Sequence, residues 1–136
     1  ANIPDRYVPS AEQRMDLYRR IAAIRSESDA DDLVDELIDR YGEPPRPVNN
    51  LISVALLRSA ASAVGIIDIA QKAGCLLFSM PKFNLAAVSA LCGGKYKSRM
   101  LFAAGDKPYL SLRLRKGEDP LKSAQQVVED YAAAAE

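Results

Sequence analysis

Residues 31–42 read Asp-Asp-Leu-Val-Asp-Glu-Leu-Ile-Asp-Arg-Tyr-Gly, and they leave a folding chain little choice. Leu33, Val34, Leu37, Ile38 and Tyr41 recur at i, i+1, i+4, i+5 and i+8, which places them along one side of a helix. Asp32, Asp35, Glu36 and Asp39 then project together from the opposite side. Gly42 supplies a helix stop, and Pro44 and Pro45 delay any restart until Pro47. The stretch therefore offers one apolar face to a core and one concentrated block of negative charge.

Ile3-Pro-Asp-Arg-Tyr-Val-Pro precedes it as an extended segment with two prolines. Ser10 with Gln13 forms a capping-box pattern, opening a first helix to about Arg25 that buries Leu17, Tyr18, Ile21 and Ile24. Ser28 is the expected cap of the second helix, with Asp29, Asp31 and Asp32 in its first turn. Pro47 suits the first position of a third helix. That helix carries only Arg58 as a charge between Val48 and Gly65, and is expected to be largely buried. Beyond Ile66 the pattern shifts to short apolar runs. A hairpin around 71–74, a helix from Leu85 to Cys92 capped by Asn84, and a hairpin of Tyr96–Ala103 with Tyr109–Arg115 follow. A last helix begins near Pro120. The expected fold is α+β: a three-helix N-terminal half, then two β-hairpins forming an antiparallel sheet, with an intervening helix and a C-terminal helix. The 136 residues fit a single domain, and the start at Ala1 suits a fragment of a longer chain.

The net charge is zero, yet it is unevenly spread. Glu27–Glu43 holds eight acids and one base, whereas Lys72–Lys116 holds nine bases and one acid. Such a chain can present two oppositely charged surfaces. Chemistry is harder to place. There is no histidine, which removes the usual general base and the serine– or cysteine–histidine nucleophile systems. Cys75 and Cys92 without histidine make no zinc site, and they read as buried, reduced thiols of an intracellular protein. Gly93-Gly94-Lys95 fails as a phosphate loop, because Ser89 and Tyr96 stand where that loop needs a glycine and a hydroxyl residue. No apolar run approaches the ~20 residues that cross a bilayer. No catalytic residue, cofactor or metal is expected. The alternative to a protein-contact role is nucleic-acid binding, with Lys95, Tyr96, Lys97, Arg99, Arg113, Arg115 and Lys116 meeting phosphates from an exposed hairpin face.

Two segments go beyond general patterning. Ile3-Pro-Asp-Arg-Tyr-Val-Pro-Ser, running on through Arg14 and Leu17-Tyr-Arg-Arg-Ile21, resembles the start of the C-terminal domain of bacterial transcription-repair coupling factor. Glu36-Leu-Ile-Asp-Arg-Tyr-Gly42, followed by prolines and an apolar helix, resembles the same domain's most typical stretch. In that family the full-length proteins are ATP-driven DNA translocases that displace stalled RNA polymerase and recruit nucleotide excision repair. The resemblance implies a non-catalytic, cytoplasmic, regulatory domain that docks on the N-terminal module of the same protein. Docking would mask the surface that otherwise binds the excision-repair damage-recognition protein, while RNA polymerase and DNA would be met only through the full-length protein. Glu36 and Asp39 lie in the stretch that would face the partner module, and Asp32 and Asp35 share their side.

Overall fold

The computed structural model describes residues 2–136. Its chain order is α1 (Ala11–Ala22), α2 (Glu27–Tyr41), α3 (Arg46–Ala63), β1 (Asp68–Lys72), β2 (Cys75–Ser79), α4 (Leu85–Gly93), β3 (Met100–Ala103), β4 (Tyr109–Arg113) and α5 (Pro120–Ala134). This is the expected α+β succession. By contact density the chain divides into two compact units, Ala1–Ser59 and Ala60–Glu136, with the division falling inside α3.

The first unit is helical. Ile3, Val8, Leu17, Ile21, Ile24, Leu33, Leu37, Val48 and Ile52 form its core, with Tyr7, Tyr18, Val34 and Tyr41 packed around it. Ser10 caps α1, its Oγ accepting from the Gln13 backbone N–H. Gln13 does not reach back to complete the box; its Oε1 accepts from the Tyr41 hydroxyl instead. α1 stops at Ala22, three residues short of the expected end, and Ile24 is buried from the connection rather than from the helix.

α2 begins two residues earlier than a Ser28 cap would allow, because Ser26 is its cap. The Ser26 Oγ accepts from the Asp29 N–H, and the Asp29 carboxylate accepts from the Arg25 N–H. These paired bonds satisfy two donors that an open helix start would leave unmet. Ser28 lies within the first turn. Leu33 and Leu37 are buried as the periodicity requires, but Ile38 is 38% exposed, at the margin of the apolar side.

Gly42 ends α2 with φ 85° and ψ −171°. That is not the left-handed cap but an extended conformation with positive φ, a region essentially confined to glycine. Its carbonyl accepts a 2.8 Å bond from the Tyr7 hydroxyl, and the Tyr7 and Tyr41 rings lie 5.7 Å apart. The N-terminal segment is further fixed by the Ile3 N–H donating to the Tyr18 hydroxyl and by Arg14 donating to the carbonyls of Val8 and Pro9. α3 opens at Arg46, with Pro47 second. It is less buried than its composition implies: Val48, Ile52, Leu57 and Ala61 are inside, while Leu51, Ala55 and Leu56 are half-covered and Ala63 is exposed.

The second unit holds a four-stranded antiparallel sheet in the order β1-β2-β4-β3. Ala73 (φ 52°) and Gly74 (φ 77°) make the two-residue turn of the first hairpin, a geometry whose twist suits paired strands. Phe78 stands opposite Leu110, which stands opposite Phe102, and Leu76, Leu112 and Met100 form the neighbouring row. Except for the half-buried Phe102, these six side chains are buried, so the alternation read in β4 holds. Ala87, Val88 and Leu91 of α4 and Ala124, Val127, Val128 and Tyr131 of α5 add further buried side chains. Asn84 caps α4 as expected, and its own N–H donates to the Tyr131 hydroxyl.

The second hairpin is shorter than expected. Residues 96–99 are turns, not strand, and Tyr96 is buried with its N–H bonded to the Leu91 carbonyl. The ring is drawn inward, its hydroxyl donating to Asp130 of α5, and the chain extends only from Met100.

Candidate functional site

The distinctive surface is the outer side of α2. A capped helix with Leu33 and Leu37 locked inside has no freedom to rotate, so the residues opposite them must face outward. Asp32, Asp35 and Asp39 are exposed, and none makes an ion pair among the described residues. Glu36 shares their side but is differently placed. It is half-buried, and its two carboxylate oxygens accept from both terminal nitrogens of Arg20 of α1, with the Nη2–Oε1 contact at 3.1 Å. Arg40, one turn along α2, adds a second guanidinium 3.5 Å from Oε2. The hydrogen bonds from Arg20 hold the Glu36 carboxyl below its ordinary pKa. Arg40 in turn lies 5.1 Å from the centre of the Tyr41 ring.

The four acids are therefore brought to one side but not to one state. Three are free charges and the fourth is bracketed by two arginines. The Glu36–Arg40 contact is legible as an i, i+4 pair. The Arg20–Glu36 contact is not, since sixteen residues separate the two and only the packing of α1 on α2 joins them.

The basic stretch of the second unit looks different once folded. Lys95 and Tyr96 both converge on Asp130, which also accepts from Gln126. Burial, then the bond to Asp130, pushes the Tyr96 hydroxyl far above its ordinary pKa. Arg99 pairs with Glu118 and donates to the Arg113 carbonyl, and Arg113 donates to the Ser98 carbonyl. The expected exposed hairpin face thus loses the Tyr96 ring, and Lys95, Arg99 and Arg113 bond within the domain, though Lys95 and Arg113 remain exposed. Lys97, Arg115 and Lys116 stay exposed without an ion pair among the described residues. The Tyr96 ring, expected to offer a stacking surface for bases, is inside.

Cys75 and Cys92 are free and half-buried rather than fully buried. Burial raises the Cys92 thiol above its ordinary pKa. Among the described residues no three acids or cysteines gather as a metal would need, and no helix is long and apolar enough to cross a membrane.

The class defined by this arrangement is an α+β domain whose most prominent surface feature is a charged helix face. Residues 1–89 match the TRCF domain family, and the chain belongs to that family. It is 34% identical over 79 residues to the transcription-repair-coupling factor of Escherichia coli, which covers 57% of this chain and 7% of that protein. The factor of Mycobacterium bovis is 42% identical over 69 residues, 51% of this chain and 6% of the relative. The chain thus spans under a tenth of the length of these relatives. Its fold is similar to a crystal structure of the C-terminal domain of transcription-repair coupling factor, with a TM-score of 0.82 at 20% identity, over 99% of this chain and 88% of the other.

Proposed function

We propose that this domain is a non-catalytic regulator that docks on the N-terminal module of its full-length cytoplasmic protein through Asp32, Asp35, Glu36 and Asp39. Docking covers the surface by which that module recruits the excision-repair damage-recognition protein. The full-length protein is, on this reading, an ATP-dependent translocase that displaces stalled RNA polymerase, and its motor engagement releases the mask. The observation that carries the reading is the row of exposed, internally unpaired carboxylates on α2, held outward by the buried Leu33 and Leu37. Charges so placed give a docking partner orientation and register more than bulk affinity.

Reversal of Asp35 and Asp39 to lysine tests it with little risk to the fold, since neither residue bonds within the domain among the described residues. Glu36→Lys is less clean because it also repels Arg20 and Arg40. In the full-length protein, the Asp35→Lys/Asp39→Lys variant is expected to bind the damage-recognition protein at least tenfold more tightly than wild type. Loss of close interface charge pairs typically costs ~2–5 kcal/mol, more than enough for such a change. Equal binding by a folded variant returns these acids to ordinary solvated surface.

A further inference from the structure

The sheet of the second unit has two edges, and they differ. The Met80 N–H donates to the Pro108 carbonyl and the Leu114 N–H to the Gly74 carbonyl. The ladder between β2 and β4 therefore runs through the even-numbered residues of β2, leaving Cys75, Leu77 and Ser79 to bond β1. Their partners are Lys72, Ala70 and Asp68, which accordingly direct their backbone groups inward. Ile69 and Gln71 direct theirs out of the sheet, and no backbone hydrogen bond meets them there among the described residues. All of β1 except Ile69 is exposed. The β3 edge is already engaged at its start, where the Met100 N–H donates to the Tyr96 carbonyl.

We propose that β1 is a self-pairing edge whose occupant is β1 of a second copy of this chain. Turned antiparallel about Ala70, the segment Asp68-Ile-Ala-Gln-Lys72 is complementary to itself. Ile69 falls opposite the second copy's Gln71, and Gln71 opposite its Ile69. These are the residues with outward backbone groups, so each pair exchanges both of its N–H···O bonds. Ala70 meets Ala70 on the axis, at a position where strands lie closest and a methyl leaves room. Asp68 faces the second copy's Lys72, and Lys72 its Asp68, so an ion pair closes each end. Neither residue has an ion pair within the domain among the described residues. Sliding one copy by two residues in either direction puts Asp68 or Lys72 against Ala70 and breaks both pairs. A lysine on an open edge usually repels a foreign strand. Here an aspartate at the matching position of a second copy answers it.

Charge exchange separates this pairing from any other association. Asp68→Lys sets lysine against lysine at both ends, and Lys72→Asp sets aspartate against aspartate. Mixed together, the two variants restore opposite charges at each end, as the double variant Asp68→Lys/Lys72→Asp does with itself. Both side chains are exposed, so these changes carry little risk to the fold, and circular dichroism checks it. The experiment is sedimentation equilibrium of the 136-residue chain, alone and in equimolar mixtures. Concentrations rise to about 1 mM, which reaches weak association. Wild type is expected to dimerise, each single variant at least about tenfold more weakly, and the mixture and double variant to recover to within about threefold. Gln71→Pro, which deletes an outward N–H donor, is expected to abolish dimerisation with the charges intact. A wild type that stays monomeric at that concentration overturns the proposal. So does a single variant or Gln71→Pro that dimerises as wild type does, or a mixture that fails to recover.

Discussion

The acidic helix of the first unit and the basic stretch of the second carry nearly equal and opposite charge, yet the fold uses them differently. On α2, Asp32, Asp35 and Asp39 keep their charge at the surface, and only Glu36 is held by arginines. Of the bases from Lys95 to Arg113, Lys95, Arg99 and Arg113 bond to Asp130, Glu118 and the carbonyls of Arg113 and Ser98, with Arg99 largely covered, while Lys97 and Lys107 stay exposed. A helix with one buried side must display whatever lies opposite. A chain of turns such as residues 94–99 can fold its long side chains back on neighbouring elements. Formal charge along a sequence is therefore a poor guide to surface charge unless the local structure forbids the side chains from turning in.

The comparison is tested most strongly through the two cores. Phe78→Ala removes a fully buried ring from the sheet and is expected to cost about 3–5 kcal/mol in chemical denaturation. Leu37→Ala, which anchors the rotation of α2, is expected to cost about 2–5 kcal/mol. Ile38→Ala, one position along, should cost under about 1 kcal/mol. A large loss at Ile38 and a small one at Leu37 would mean that the acidic side is not the outer side.

Tyr96→Phe addresses the internally bonded bases. It deletes the hydroxyl that donates to Asp130 and leaves that part-buried carboxylate with Lys95 and Gln126. The expected loss is about 1.5–3 kcal/mol, read by the same unfolding measurement. No loss would show that the hydroxyl is satisfied equally well by water.

Much of this was legible from residue order alone. The α2 periodicity, the Asn84 cap and the strict alternation in β4 each depend on neighbours within a few residues, and each appears where the pattern places it. The true start of α2 was also written locally, in Ser26-Glu-Ser-Asp29, but Ser28 offered a competing cap two residues too late. Other features had no local signal. The strand order β1-β2-β4-β3 depends on how two hairpins meet, and the burial of Tyr96 depends on Asp130, thirty-four residues away. Arg20 was readable only as surface charge on α1, since its partner belongs to another helix.

A smaller effect is expected with pH. The Arg115 backbone N–H, aided by Ser123 and Arg99, holds Glu118 below its ordinary value of 4.5. Because the folded pKa is the lower one, this stabilisation is present above the unfolded pKa and fades as pH falls through the folded value. Glu118→Gln should therefore be less stable than wild type near neutrality and converge with it in acid. A constant gap across that range would exclude the ionised carboxylate as the source.

The central claim is that the exposed charge of the first unit, and not that of the second, is the contact surface. It is tested most directly by measuring, in the full-length protein, affinity for the damage-recognition protein after two matched reversals. Asp35→Lys/Asp39→Lys should raise that affinity at least tenfold, whereas Arg115→Glu/Lys116→Glu should leave it within about twofold. A change confined to the Arg115/Lys116 variant, or equal changes in both, would contradict it.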